Sequence, residues 1–242
     1  MSITALIPKP ARRAARNALN SLITQPCREE FDRQSFDRFN ERPVEFGFVF
    51  AKIAQIYPKS VLDVGTGTTA LPHLMRSCGP VVTAIDNVKD YWPTGMVNRH
   101  YWVLDDDITQ TKLTMQWDLV TCVSVLEHIQ AFDDAVRNLF RLTKPGGHVI
   151  ITCPYNEREY CPNCYELPQS AYGQDAAYVT QSFSRKQLDR WCSDNNAQVI
   201  DQEHWRFWDG ELWTQGKQVI PPVRTSPYQS HQLTCLLLRK LA

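Results

Sequence analysis

Three acids, a pair of glycines and one histidine carry the chemistry that this sequence offers. Asp63 sits inside the short apolar run Val61-Leu62-Asp63-Val64, which is followed by Gly65-Thr66-Gly67. Branched apolar residues that stop at glycine read as a buried strand, then a turn in which backbone approaches a ligand closely. Asp86 ends the next apolar run, Val81 to Ile85, with Asn87 behind it. An acid about twenty residues past such a loop stands where the ribose hydroxyls of a nucleoside need an acceptor. A third acidic group, Asp105-Asp106-Asp107-Ile108, follows the apolar stretch Tyr101 to Leu104. His128, in Leu126-Glu127-His128-Ile129, titrates near neutrality and is the leading candidate base.

Which nucleoside these residues take turns on Asp63. Gly65-x-Gly67-x-x-Ala70 also fits the dinucleotide fingerprint, so the glycines alone do not decide. A carboxylate two residues before the loop repels a pyrophosphate and favours a ligand with positive ammonium and sulfonium groups. With its apolar strand, acid and Gly-x-Gly, the chain resembles the class I S-adenosylmethionine-dependent methyltransferases, from about Pro43 to the C-terminus.

The resemblance implies an α/β fold: a doubly wound, Rossmann-like, seven-stranded, mostly parallel sheet with an antiparallel last strand and helices on both faces. It implies S-adenosylmethionine as cofactor and S-adenosylhomocysteine as product. Asp63, Gly65, Thr66, Gly67, Asp86, Asn87 and Ser124 are then cofactor contacts. Asp107 and the backbone of Ile108 are the adenine contacts, with Asp106 as the register alternative. Trp117 to Val125 matches the fourth strand, Ala131 to Thr143 has apolar residues at helical spacing, and Lys144-Pro145-Gly146-Gly147 stops that helix before a fifth strand, His148 to Cys153.

Methyl transfer to a hydroxyl needs position and removal of a proton. His128 is the expected base, with Glu127 and Tyr155 in reserve. The fourth strand ends in Cys122-Val123-Ser124-Val125 and lacks the Asn/Asp-Pro-Pro-Tyr/Phe pattern of family members that act on planar amines. A small-molecule or glycan hydroxyl is the expected acceptor. Two rival readings are a cofactor-binding scaffold that has lost its base and a nicotinamide oxidoreductase; Asp63 and the trailing antiparallel strands speak against the latter.

The elements around the motifs set the organisation. Residues 1–42 form a basic helix and a lid-like segment, and residues 43–242 form the cofactor-binding domain. Lys9, Arg12, Arg13 and Arg16 precede the first acid, Glu29, and Ala11, Ala14, Ala15, Ala18, Leu19, Leu22 and Ile23 share one helical face. That helix packs on the core or covers the cofactor cleft, or makes weak membrane-surface contact through residues 9–24 or meets a partner, or serves as a mitochondrial-type leader. Phe31, Phe36, Arg38, Phe39, Arg42 and Glu45 suit an ordered lid, and Val44 to Ile56 reads as the helix ahead of the first strand. The insertion 155–180, rich in tyrosines, leaves the carboxyl end of the fifth strand and is the expected acceptor-selecting element. Ser184-Arg185-Lys186-Gln187 opens a helix with a capping box. Gln198 to Trp208 and Gln232 to Leu238 are the last strands, and 209–231 is a long connection.

Composition bounds the rest. Lys plus Arg and Asp plus Glu both number 26, so no basic surplus points to nucleic acid. No apolar run reaches the roughly twenty residues of a membrane span. The 8 cysteines lie scattered through predicted strands and helices, as in a cytoplasmic protein with reduced thiols. Cys161-Pro-Asn-Cys164 is half of a zinc knuckle, and no second Cys-x-x-Cys completes it, so no metal site is expected.

Overall fold

Runs of branched and apolar residues that are buried on both faces make the parallel centre of the sheet. The computed structural model describes residues 8–36, 39–92 and 95–242. Arg38 of the expected lid and the side chains of Lys9 and Ile23 lie outside the described residues. The chain divides into two units, 1–40 and 41–242.

In the first unit, α1 (Lys9–Asp32) carries Pro in its first turn, where a missing N–H leaves nothing unsatisfied. Leu19 and Leu22 of its apolar stripe are exposed.

In the second unit, α2 (Arg42–Ile56) leads through a left-handed Tyr57 into β1 (Ser60–Val64). There follow α3 (Leu71–Ser77), β2 (Val81–Asp86), β3 (Val103–Asp105), β4 (Trp117–Val123), α4 (Phe132–Arg141) and β5 (Thr143–Asn156). The chain finishes with β6 (Phe183–Ser184), α5 (Arg185–Asp194), β7 (Ala197–Trp208), β8 (Gln218–Thr225) and β9 (Leu233–Lys240). Among the described residues the strands make one nine-stranded sheet in the order β3-β2-β1-β4-β5-β9-β7-β8, with β6 beside β5. β1 to β5 pair in parallel, and β9 runs antiparallel between β5 and β7.

Strand alternation sorts the core into two layers. Leu62, Val64, Val120, Cys122, Val149 and Ile151 face α4 and α5, against Leu139, Leu188 and Trp191. Val61, Leu119, Val123, Ile150 and Leu237 face α2 and α3, against Phe48, Val49, Leu71 and Met75. Helices therefore cover both faces, as the family resemblance implies.

Two local expectations change. The sheet has nine strands where seven are expected, because the connection 209–231 contains β8 and the short β6 follows the insertion. Pro221 and Pro222 disguise β8, which is tolerable because β8 is an edge strand whose outer N–H positions need no partner. Lys144 to Gly147 does not precede the fifth strand but lies inside β5. Its extra residues are absorbed where pairing jumps from Trp117–Thr143 to Leu119–His148. The capping box is present, with the Ser184 N–H donating to Gln187 Oε1 at 3.0 Å.

Candidate functional site

A cleft of about 800 Å³ opens at the carboxyl ends of β1, β2 and β4. The geometry of its floor follows from β1 and β4 being register partners at Asp63 and Thr121. Asp63 is buried, and its two oxygens accept from Thr121 Oγ1 at 2.6 Å and Thr66 Oγ1 at 2.7 Å. The acid thereby ties the glycine loop to the neighbouring strand. Burial raises its pKa to about 6, and the two hydroxyls hold it down only in part.

The loop itself needs glycine at two places. Gly65 has φ +71°, and a Cβ there would meet Val125 Cγ2 at 2.3 Å. Gly67 has φ +56°, with the Trp92 ring 3.8 Å away from the corresponding position. The Gly67 N–H donates to Asp86 Oδ2 at 2.7 Å, and Trp92 Nε1 donates to Oδ1 at 3.0 Å. Asn98 closes the loop from the other side, donating to the carbonyls of Gly67 and Thr69 at 2.8 and 2.9 Å.

At the next strand end, Asp107 accepts from the Thr109 N–H at 2.8 Å and caps the short turn Ile108–Gln110. The Ile108 carbonyl accepts from Asn138 Nδ2 at 2.8 Å. Asp106 accepts from Thr111 Oγ1 and the Lys112 N–H. Asp63, Gly65, Thr66, Gly67, Asp86, Asn87, Asp106, Asp107, Ile108, Ser124 and His128 all line the one cleft.

His128 ends the turn Leu126–His128 with its ring half-buried against Tyr178, centroids 4.7 Å apart. Its Nδ1 is 2.8 Å from the Val179 carbonyl oxygen. A carbonyl only accepts, so Nδ1 carries the proton and Nε2 keeps its lone pair. Burial lowers the pKa of the ring below its ordinary value, and the Val179 bond offsets part of this. A neutral imidazole with one free nitrogen beside a cleft is equipped to accept a proton.

The two reserve bases lie elsewhere. Glu127 does not line the cleft. It is buried, its Oε2 has no partner, and burial pushes its pKa up. Its Oε1 is 4.0 Å from His128 Nε2. Tyr155 is also absent from the cleft lining, its ring stacked on His231 at 5.8 Å. Of the insertion's tyrosines, Tyr178 lines the cleft, while Tyr160 packs on Phe183 and Tyr165 on Tyr172. Cys161 and Cys164 are buried, and a hydrogen bond from Cys164 lowers the pKa of the Cys161 thiol.

Several contributors carry no sequence signal of the part they play, and Arg42 and Glu45, expected in a lid, lie in α2. Glu45, fully buried on α2, accepts from Arg42 at 2.8 Å and from Ser124 Oγ and Thr152 Oγ1 at 2.6 Å each. It fixes α2 to the ends of β4 and β5 and engages the hydroxyl of Ser124. Trp92, Asn98 and Thr121 are single polar or aromatic residues in irregular or strand segments, and only the folded registers reveal their partners. Arg42 and Phe46 join the cleft wall, as do Tyr91 and Trp92 opposite.

Comparison with known proteins agrees with this geometry. A family model described as a methyltransferase domain matches residues 31–202. A ubiquinone biosynthesis O-methyltransferase of Vibrio vulnificus (strain YJ016) is 31% identical over 119 residues, 46% of this chain and 50% of that protein. The corresponding enzyme of Proteus mirabilis (strain HI4320) is 29% identical over 46% of this chain and 48% of its own. The chain thus spans about half the length of the curated relatives it matches. A Burkholderia thailandensis 1,6-didemethyltoxoflavin-N1-methyltransferase, solved with 1,6-didemethyltoxoflavin and S-adenosylhomocysteine bound, shares the fold. Its TM-score is 0.55 at 14% identity, over 98% of this chain and 92% of that one. A Clostridium acetobutylicum (ATCC 824) S-adenosylmethionine-dependent methyltransferase gives a TM-score of 0.52 at 12% identity, over 94% and 100%. With the family model matched across most of its length, the chain belongs to the class I S-adenosylmethionine-dependent methyltransferases.

Proposed function

We propose that this chain transfers the methyl group of S-adenosylmethionine to a hydroxyl of a planar small molecule. The observation that carries the reading is the convergence of three strand-end acids and a neutral histidine on one cleft.

The residues fit the cofactor. The glycine turn puts backbone against the cleft, with only the Trp92 ring, 3.8 Å away, near the Cβ position of Gly67, and Asp63 supplies negative charge for an ammonium or sulfonium. Asp86 would hold the ribose hydroxyls and Asp107 with Ile108 the adenine, while Arg42 on the cleft wall suits the carboxylate end. When bound, S-adenosylmethionine supplies a methyl carbon made electrophilic by its sulfonium.

The chain's own part is then to orient the acceptor and take its proton. Tyr91 and Tyr178, with ring centroids 6.4 Å apart, and His128 beside Tyr178 offer flat aromatic faces at the cleft. Such faces favour a planar ring over a sugar. His128 Nε2 accepts the hydroxyl proton as the oxygen attacks. The naming of curated relatives as O-methyltransferases supports an oxygen acceptor.

The test is transfer of radiolabelled methyl from S-adenosylmethionine to a panel of phenols and catechols, with amines and sugars alongside. Label in a phenolic ether supports the reading. Transfer only to amines or sugars, or none to any class while the cofactor binds, contradicts it.

A further inference from the structure

We infer that Glu157, His204 and His231 form a binding site for a zinc-like divalent cation, apart from the cofactor cleft. The three residues are distant in sequence, and the sheet brings them together. Glu157 follows the carboxyl end of β5, His204 lies in the second half of β7, and His231 precedes β9. One ligand atom from each falls within 4.8 Å of the others.

The protonation pattern suits a metal. His231 is buried, and its Nδ1 lies 2.7 Å from the Gln229 carbonyl oxygen. Nδ1 must therefore carry the proton, leaving a lone pair on Nε2, which is buried and has no partner. A backbone carbonyl holding the far nitrogen is the usual outer support of a metal-bound histidine. A buried acceptor without a donor is otherwise unfavourable. His204 Nε2 faces Glu157 Oε1 at 3.1 Å, and the two histidine rings are 4.6 Å apart, edge to face.

Two imidazole nitrogens and one carboxylate oxygen are a borderline donor set, matched to zinc or cobalt rather than magnesium or calcium. Three protein ligands leave one coordination position for water or a small ligand. Arg185 also engages Glu157, at 2.9 Å to Oε1 and 3.1 Å to Oε2. A cation therefore has to draw Oε1 away from the guanidinium and replace the proton on His204 Nε2. Displacing the proton makes binding weaker at low pH, and both requirements place the site below a cysteine-rich zinc site in affinity. None of the three residues lines the cofactor cleft, so the inference stands independently of the methyl-transfer reading.

The experiment is titration of the metal-stripped full chain with cobalt(II), followed by its visible absorption, in the parent and in a Cys161→Ser/Cys164→Ser variant. One equivalent should bind in both, and His231→Gln should weaken it at least about a hundredfold while leaving the circular dichroism spectrum unchanged. X-ray absorption of the zinc-loaded parent needs no variant to fold and should show a nitrogen and oxygen shell with no sulfur. Absence of stoichiometric binding, a sulfur shell, loss of binding with the two cysteines, or parent-like affinity in His231→Gln would overturn the site.

Discussion

His128 and Val179 share one hydrogen bond, 2.8 Å from Nδ1 to the carbonyl oxygen, which couples the turn after β4 to the end of the insertion. The same bond selects the tautomer. It leaves Nε2 as the acceptor and puts the proposed base under the control of a loop that also supplies Tyr178 to the cleft.

His128→Ala should lower kcat by about 10²- to 10⁴-fold, the usual worth of a positioned base, with S-adenosylhomocysteine affinity changed by less than about threefold. Burial lowers the imidazole pKa, so the neutral, active form persists to lower pH than for a free histidine. The acid limb of kcat should accordingly fall below the ordinary histidine value. Steady-state kinetics across pH, with calorimetry on the variant, reads both.

Asp63 predicts a pH-dependent cofactor affinity. Its pKa is raised to about 6, and a cationic ligand binds the ionised form, so binding expels a proton. Affinity should fall as pH drops from about 7.5 to about 5, and Asp63→Asn should flatten that dependence. For the free protein the sign is opposite. A carboxyl whose folded pKa is raised stabilises the fold as pH falls through that value. Titrations at several pH values in buffers of different ionisation heat count the protons.

The two loop glycines should differ under substitution. Gly65→Ala forces a Cβ to 2.3 Å from Val125 in addition to its left-handed strain, whereas Gly67→Ala meets only the strain, about 1–2 kcal/mol. Gly65→Ala should lose stability by several times more than Gly67→Ala and should also lose cofactor binding. Urea unfolding of the two variants side by side provides the comparison.

Glu45 is the hub that holds α2 on the sheet, so Glu45→Ala should destabilise by about 3–5 kcal/mol, leaving Arg42, Ser124 and Thr152 without their shared acceptor. Glu45→Gln, which keeps the shape and one acceptor oxygen, should lose less. Denaturant midpoints measure the difference.

The central sheet was legible because its strands are long apolar runs closed by acids and glycines, a pattern that local chemistry alone imposes. Asp63, Asp86 and Asp107 stand out in the chain for the same reason. Glu45 did not, because a charged residue in a helix reads as surface until the register of Ser124 and Thr152 is known. β8 was hidden by Pro221 and Pro222, whose tolerance depends on being at the sheet edge. Tyr155 and His128 show the limit most clearly. Both stand at the carboxyl edge of the sheet, Tyr155 among the last residues of β5 and His128 after β4, yet Tyr155 turns toward His231 and His128 toward the cleft, a choice made by packing rather than by position in the chain.

The most direct measurement is calorimetric titration of the full chain with S-adenosylhomocysteine, with NAD as the comparison. Micromolar, one-to-one binding of S-adenosylhomocysteine, weakened about tenfold or more by Asp86→Asn, with no heat from NAD, is the expected result. Binding of NAD alone, or of neither ligand, would contradict the assignment of the cleft.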